Sequence, residues 1–235
     1  MILLALLQLF ACALPPQPDE SDVLTLSFCP DGLPCALVAD GQSLITVEGC
    51  VPEAVEPLAE DLTLSLVTSG GQWIDGTQSS LSVPLGPDRC ARPALTAPTF
   101  GPDLIVEGSL AEIGVSAATL LTPASFGGLG LSPSPATLDA QAPNVILLAV
   151  SAWGEDGASV SEGSLAAVTV LDAEGSDVIV SPAERLLDTD GEATFTVTSA
   201  GGLTELRLRV VLSAPAWDGV SRPTNLSEDV TLVGE

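Results

Sequence analysis

Two groups of residues in this sequence have the types and spacing to do chemistry: five cysteines and a cluster of acids around residue 190. Asp188, Asp190 and Glu192, set around Gly191, place carboxylate oxygens on one turn, in the style hard cations such as calcium take. They do not form an EF-hand loop, because the twelve-residue spacing ending in a bidentate Glu is missing. Glycoside hydrolysis needs only two carboxylates, and the chain has 31 acidic residues. Against these stands the basic inventory. All six basic residues are arginines (89, 92, 185, 207, 209 and 222), and there is no Lys, His or Tyr. That excludes a Ser-His-Asp triad, a Cys-His pair, a Schiff-base lysine, a P-loop lysine and any His-ligated metal. GxSxG, HExxH and SxxK are also absent. The inventory points to a protein that is not an enzyme and needs no cofactor. A calcium-dependent secreted module and a carboxylate-based hydrolase are the alternatives it leaves.

The formal net charge is −25 over 235 residues. Binding to nucleic acid or anionic headgroups draws on clustered Lys and Arg, so no nucleic-acid partner is expected. Most of the acids are expected on a solvated face that keeps the chain soluble. Apolar residues make up 46% of the chain, enough to build cores rather than a disordered coil.

Residues 1–11, MILLALLQLFA, are almost wholly apolar and precede Cys12 and a Pro-rich, then acidic stretch. Such a segment reads as an export signal, because it is too short to span a bilayer. With Cys12 set aside, four cysteines remain, which permit three pairings. Cys29 and Cys35 flank Pro30-Asp31-Gly32-Leu33-Pro34, a run of turn formers that a local bridge closes easily. Cys50 is then left with Cys90. A four-cysteine zinc site is the rival, but spacings of five, fourteen and thirty-nine residues contain no CxxC knuckle. Exported compartments are oxidising, so the bridges Cys29–Cys35 and Cys50–Cys90 are expected.

Period-2 patterning dominates the rest. Leu62, Leu64 and Leu66 alternate with Thr63 and Ser65, and Ala193, Phe195 and Val197 alternate with threonines. Leu206, Leu208 and Val210 alternate with Arg207 and Arg209. Alternate side chains of a strand face opposite sides, so each run predicts an antiparallel strand with one wet face. Strands are expected over 43–50, 62–68, 104–113 and 117–122, and again over 145–153, 165–171, 203–212 and 230–233. Ser181-Pro182-Ala183-Glu184 fits a helix start and predicts at most one helical turn. Of the three tryptophans, Trp73, Trp153 and Trp217, each is expected in core or junction packing before a binding role. The order of strands repeats at an offset of about 100 residues, the size of one Ig-like sandwich. The fold class expected is all-β, with two tandem Ig-like antiparallel β-sandwich domains over 23–123 and 124–235.

Two resemblances extend this reading. Leu9-Phe10-Ala11-Cys12 resembles the bacterial lipoprotein lipobox. That implies a signal peptide over 1–11, cleavage before Cys12, lipid attached to its thiol and new amine, and a tether over 12–22. An ordinary cleaved signal is the alternative. Ala39-Asp40-Gly41-Gln42-Ser43-Leu44-Ile45-Thr46-Val47, Leu64-Ser65-Leu66-Val67-Thr68-Ser69-Gly70-Gly71 and Thr189-Asp190-Gly191-Glu192-Ala193-Thr194-Phe195-Thr196-Val197-Thr198-Ser199 are similar to segments of bacterial Ig-like domains of the invasin and intimin type. This resemblance implies surface display as a stalk or adhesive module and carries over no catalytic residue. The expected partners are a protein or glycan ligand at the cell surface, with the membrane touched only through the lipid anchor. The expected location is the outer membrane or cell surface, or, without the anchor, the periplasm or medium.

Overall fold

A computed structural model describes residues 23–53, 62–76, 79–111, 113–217, 220 and 222–235. Cys12, the signal segment and the tether lie outside the described residues. Among the described residues there is no α-helix, only a short 3₁₀ turn at Glu155–Gly157, and the chain is built of antiparallel strands in two tandem Ig-like sandwiches.

The first sandwich contains β1 (Thr25–Phe28), β2 (Val38–Ala39), β3 (Leu44–Cys50), β4 (Thr63–Thr68), β5 (Gln72–Trp73), β6 (Ser80–Pro84), β7 (Cys90–Ala91), β8 (Ala94–Thr96), β9 (Asp103–Leu110), β10 (Ile113–Leu120) and β11 (Thr122–Pro123). One sheet runs β1-β3-β8-β5 with β7 also on β3, and the facing sheet runs β10-β9-β4-β6. β11 pairs in parallel with β2. The second sandwich contains β12 (Phe126–Ser134), β13 (Val145–Gly154), β14 (Leu165–Glu174), β15 (Val178–Ser181), β16 (Glu184–Leu186), β17 (Glu192–Ser199), β18 (Glu205–Ser213) and β19 (Leu226–Val233). Its sheets run β12-β13-β17-β15 and β16-β14-β18-β19.

The alternation read from sequence is what assembles the cores. In β4, Leu64 and Leu66 are buried while Thr63, Ser65 and Val67 are exposed. They meet Ile45, Val47, Trp73 and Leu95 from the facing sheet in one hydrophobic cluster. In the second sandwich, Ile146, Leu148 and Val150 of β13 and Phe195 of β17 pack in a second cluster with Leu206, Leu208 and Val210 of β18. Each such side chain contributes roughly 1.5–3 kcal/mol by leaving water. Both disulfides belong to the first sandwich. Cys50 and Cys90 sit opposite each other on β3 and β7, and Cys29–Cys35 closes the turn after β1. In the chain-entropy picture the longer loop stabilises by about 4 kcal/mol and the shorter by about 2.

Two expectations need correction. The first concerns the hairpin after residue 103. Ala111 adopts φ of 54° and Ile113 pairs directly with Leu110, so β9 ends at Leu110 and the return strand opens four residues earlier than its alternation alone indicates. A two-residue turn of this hand matches the twist of the strands it joins. The second concerns Ser181-Pro182-Ala183-Glu184, which forms no helical turn. Ser181 closes β15 on the edge of one sheet and Glu184 opens β16 on the edge of the other. Pairing with both sheets satisfies more backbone groups than a single helical turn, which leaves most of its own unpaired.

Phe195 is fully buried at the centre of the second core. Phe195→Ala is expected to lower the stability of that sandwich by about 3–5 kcal/mol, measured by denaturant unfolding.

Candidate functional site

The contact between the sandwiches is built around one serine. Ser161, on the loop from β13 to β14, is 2% exposed. Its Oγ donates to the carbonyl of Ala39 at the end of β2 (2.6 Å) and accepts from the N–H of Ala124 just after β11 (2.7 Å). Ser161 is itself held, because its carbonyl accepts from Ser164 Oγ at 2.7 Å and from the Ser164 N–H at 3.1 Å. Beside it the Glu162 N–H donates to the Thr99 carbonyl at 2.6 Å. A Cβ on Gly41 would press on Thr99 Cγ2 at 3.0 Å, so the absence of a side chain there allows the close approach. Trp217, on the connection from β18 to β19, packs partly against the first core. The junction is therefore fixed by buried hydrogen bonds as well as apolar contact.

Next to it lies a cleft of about 430 Å³ whose walls include Asp40, Ser43, Glu155 and Asp156. Its carboxylates do not form a ready ligand set. Asp40 Oδ1 accepts from the backbone N–H groups of Gln42 (2.9 Å) and Ser43 (2.7 Å), and Oδ2 from Ser43 Oγ (2.6 Å). The Asp40 side chain closes its own turn.

The same explanation applies to Asp188, Asp190 and Glu192. Asp188 Oδ1 accepts from the N–H of Asp190 (3.0 Å) and of Glu192 (2.8 Å), and Gly191, with φ of 78°, completes the turn into β17. The three carboxylates do not converge. Among the described residues the one convergent trio of potential metal ligands is Glu48, Cys50 and Cys90. Both sulfurs of that trio are tied in the disulfide, so it does not fit a metal ion.

Five of the six arginines, Arg89, Arg92, Arg185, Arg207 and Arg209, are engaged within the chain. Arg92 bridges Glu48 and Asp88, each at 2.6 Å. Its hydrogen bond holds the Asp88 carboxyl below the usual range, and Asp88 and Glu48 raise the guanidinium in turn. Arg209 forms a forked pair with Asp229 (2.7 and 3.0 Å) and depresses that carboxyl in the same way. Arg185 donates to the Thr194 carbonyl and Arg89 to that of Pro52. No cluster of arginines is left pointing at a common ligand among these residues.

The tryptophans divide by environment. Trp73 is 1% exposed, with its indole N–H donated to the Ser79 carbonyl at 3.2 Å. Trp217 is half-buried at the junction, and Trp153 of β13 stands on the outer surface of the second sandwich. Sequence reasoning missed Ser161 altogether, because nothing in its type or spacing separates it from Ser159 or Ser164.

No protein-family model and no curated protein matches this sequence. The structure of the Yersinia pseudotuberculosis adhesin InvE matches 92% of this chain with a TM-score of 0.58 at 15% sequence identity. The fold is a tandem Ig-like sandwich, similar to that of the InvE adhesin. This chain corresponds to 59% of the InvE chain, so it spans about three fifths of that structure's length. The Escherichia coli adhesin FdeC also matches, with a TM-score of 0.38 at 19% identity over 90% of this chain and 64% of that one. So does the D0-D1 domain of intimin, with 0.32 at 19% identity over 87% and 98%.

Ser161→Ala leaves the Ala39 carbonyl and the Ala124 N–H buried without partners, at about 1–3 kcal/mol for each orphaned group. The expected outcome is a lower melting temperature and a broadened or split calorimetric transition as the two sandwiches unfold less cooperatively. Because Asp188 serves its own turn, millimolar calcium is expected to leave the melting temperature unchanged. A rise of several degrees would restore the calcium reading.

Proposed function

We propose that this chain is a non-enzymatic, exported bacterial surface protein, anchored by lipid at Cys12, whose two Ig-like sandwiches act as a structural or adhesive module for a protein or glycan ligand. The observation that carries the reading is the buried Ser161 junction. A stalk or presenting module must hold its domains in one fixed relation, and here a buried hydroxyl and a main-chain hydrogen bond do so directly. The InvE-like fold supports the same reading by analogy of fold, which alone does not assign function. The chemistry of the residues agrees. The chain has no His, Lys or Tyr, Asp40 and Asp188 close turns, and Asp88 and Asp229 pair with arginine. The two disulfides suit an oxidising, exported compartment. The net charge of −25 disfavours nucleic acid as a partner.

The test is the intact mass and partition of the mature protein made in a bacterial host. The expected mass is that of a chain beginning at an acylated Cys12 and lacking four thiol hydrogens, recovered in the detergent phase. Cys12→Ser should shift it to the aqueous phase without changing the fold. A wild-type chain that is unacylated and aqueous would place it in the periplasm or medium instead.

A further inference from the structure

The outer face of sheet β12-β13-β17-β15 departs from the rest of this acidic molecule. Register places the outward residues of β13 (Val145, Leu147, Ala149, Ser151 and Trp153) beside Thr194, Thr196 and Thr198 of β17. On the other side they meet Ser134, Ser132, Gly130 and Gly128 of β12. Ile179 of β15 adjoins Thr198. Glu192 is the one charged residue on this face, although the chain carries a net charge of −25. Val145 is 62% exposed, Ile179 67%, Leu147 50% and Trp153 43%. The outer face of the partner sheet, by contrast, carries Arg207, Arg209, Asp229, Asp172 and Glu205. On the outer sheet of the first sandwich, Glu107 stands mid-sheet between Val67 and Ser116, where stacking would bury a carboxylate, whereas Glu192 opens β17 at the rim, beyond the reach of β15.

The face also has two unlike ends. Ile179, Val145 and Leu147 make one end bulky. At the other, Gly128 and Gly130 lack side chains and the Trp153 indole lies over them: a Cβ on Gly128 would overlap its ring atoms. Two such faces stacked with their strands antiparallel bring each bulky end onto the glycine-floored end of the other. In that arrangement Val145 meets the indole of the second copy, Leu147 meets its Ser151, and Glu192 meets its Thr196. The 31 residues of these four strands, each covering about 4.8 by 3.3 Å, give a face of roughly 490 Å². Both copies together then bury about 1,000 Å², the smallest area at which a specific interface is expected. A face almost without charge is where two chains of net charge −25 can meet without opposing like charges.

We propose that this face is a two-fold homodimer interface, the second copy stacking through β13 with Val145 against Trp153. Because association brings two polyanions together, raising the salt from low to high should tighten the dimer several-fold, as screening weakens their repulsion.

Sedimentation equilibrium of the mature protein across a concentration series tests this, with thermal unfolding of each variant as the folding control. Leu147→Glu should leave a folded monomer. Val145→Asp and Trp153→Lys should each dimerise at least tenfold more weakly alone. Mixed together they should dimerise again, since the heterodimer keeps one native contact and gains one opposite-charge contact. The proposal is overturned by a monomer at hundreds of micromolar in high salt, by a dimer indifferent to Leu147→Glu, or by failure of the mixture to associate. It is equally overturned if the wild-type monomer instead retains a neutral glycan column or another protein through Trp153.

Discussion

Every strand of this chain obeys one constraint: successive side chains point to opposite sides, so a core can be built only from alternate residues. All else follows from how that half is spent. In β4, β9, β13 and β18 the buried set is Leu, Ile, Val and Ala, joined only by Thr68, Gly108 and Gly154. The other set is left for solvent, and much of the charge that gives −25 resides there and in the turns. A chain this acidic folds because its self-repulsion acts between exposed groups in water, while its apolar residues are collected two by two between sheets. Three ion pairs, Arg92 with Glu48 and with Asp88 and Arg209 with Asp229, relieve part of that repulsion on the surface.

The same alternation explains why the acids are poor candidates for chemistry. A turn between strands needs its N–H groups satisfied, and a short carboxylate two to four residues back does so here. Asp40 and Asp188 do this. Their oxygens are occupied by the chain itself, so Asp-Gly turns that look like cation ligands in sequence are closures in the fold.

The surfaces differ in what they offer. The junction spends its polar groups on holding the sandwiches together, through Ser161 and the Glu162–Thr99 backbone pair. A module built this way transmits position from one end to the other. The outer face of β12-β13-β17-β15 keeps its aliphatic side chains and Trp153 in water. The outer face of the partner sheet instead carries Arg207, Arg209, Asp229, Asp172 and Glu205.

The sequence by itself determined the all-β class, the tandem repetition and most strand positions, because these depend on parity, turn residues and length, which are local properties. The cysteine spacing with its turn formers likewise carried the two bridges, since a short loop of Pro, Asp and Gly closes locally and leaves one pair over. Only the tertiary structure decided the rest. The chain from Ser181 to Glu184 changed from a helical turn to two strand ends because two sheet edges were there to pair with. Ser161 gained its role from a carbonyl 122 residues away, which no local pattern encodes. The apolar run Val145–Val150 shows both cases. Its two parities are plain in the sequence, but which one faces the core and which faces water was fixed only when β17 took its register against it.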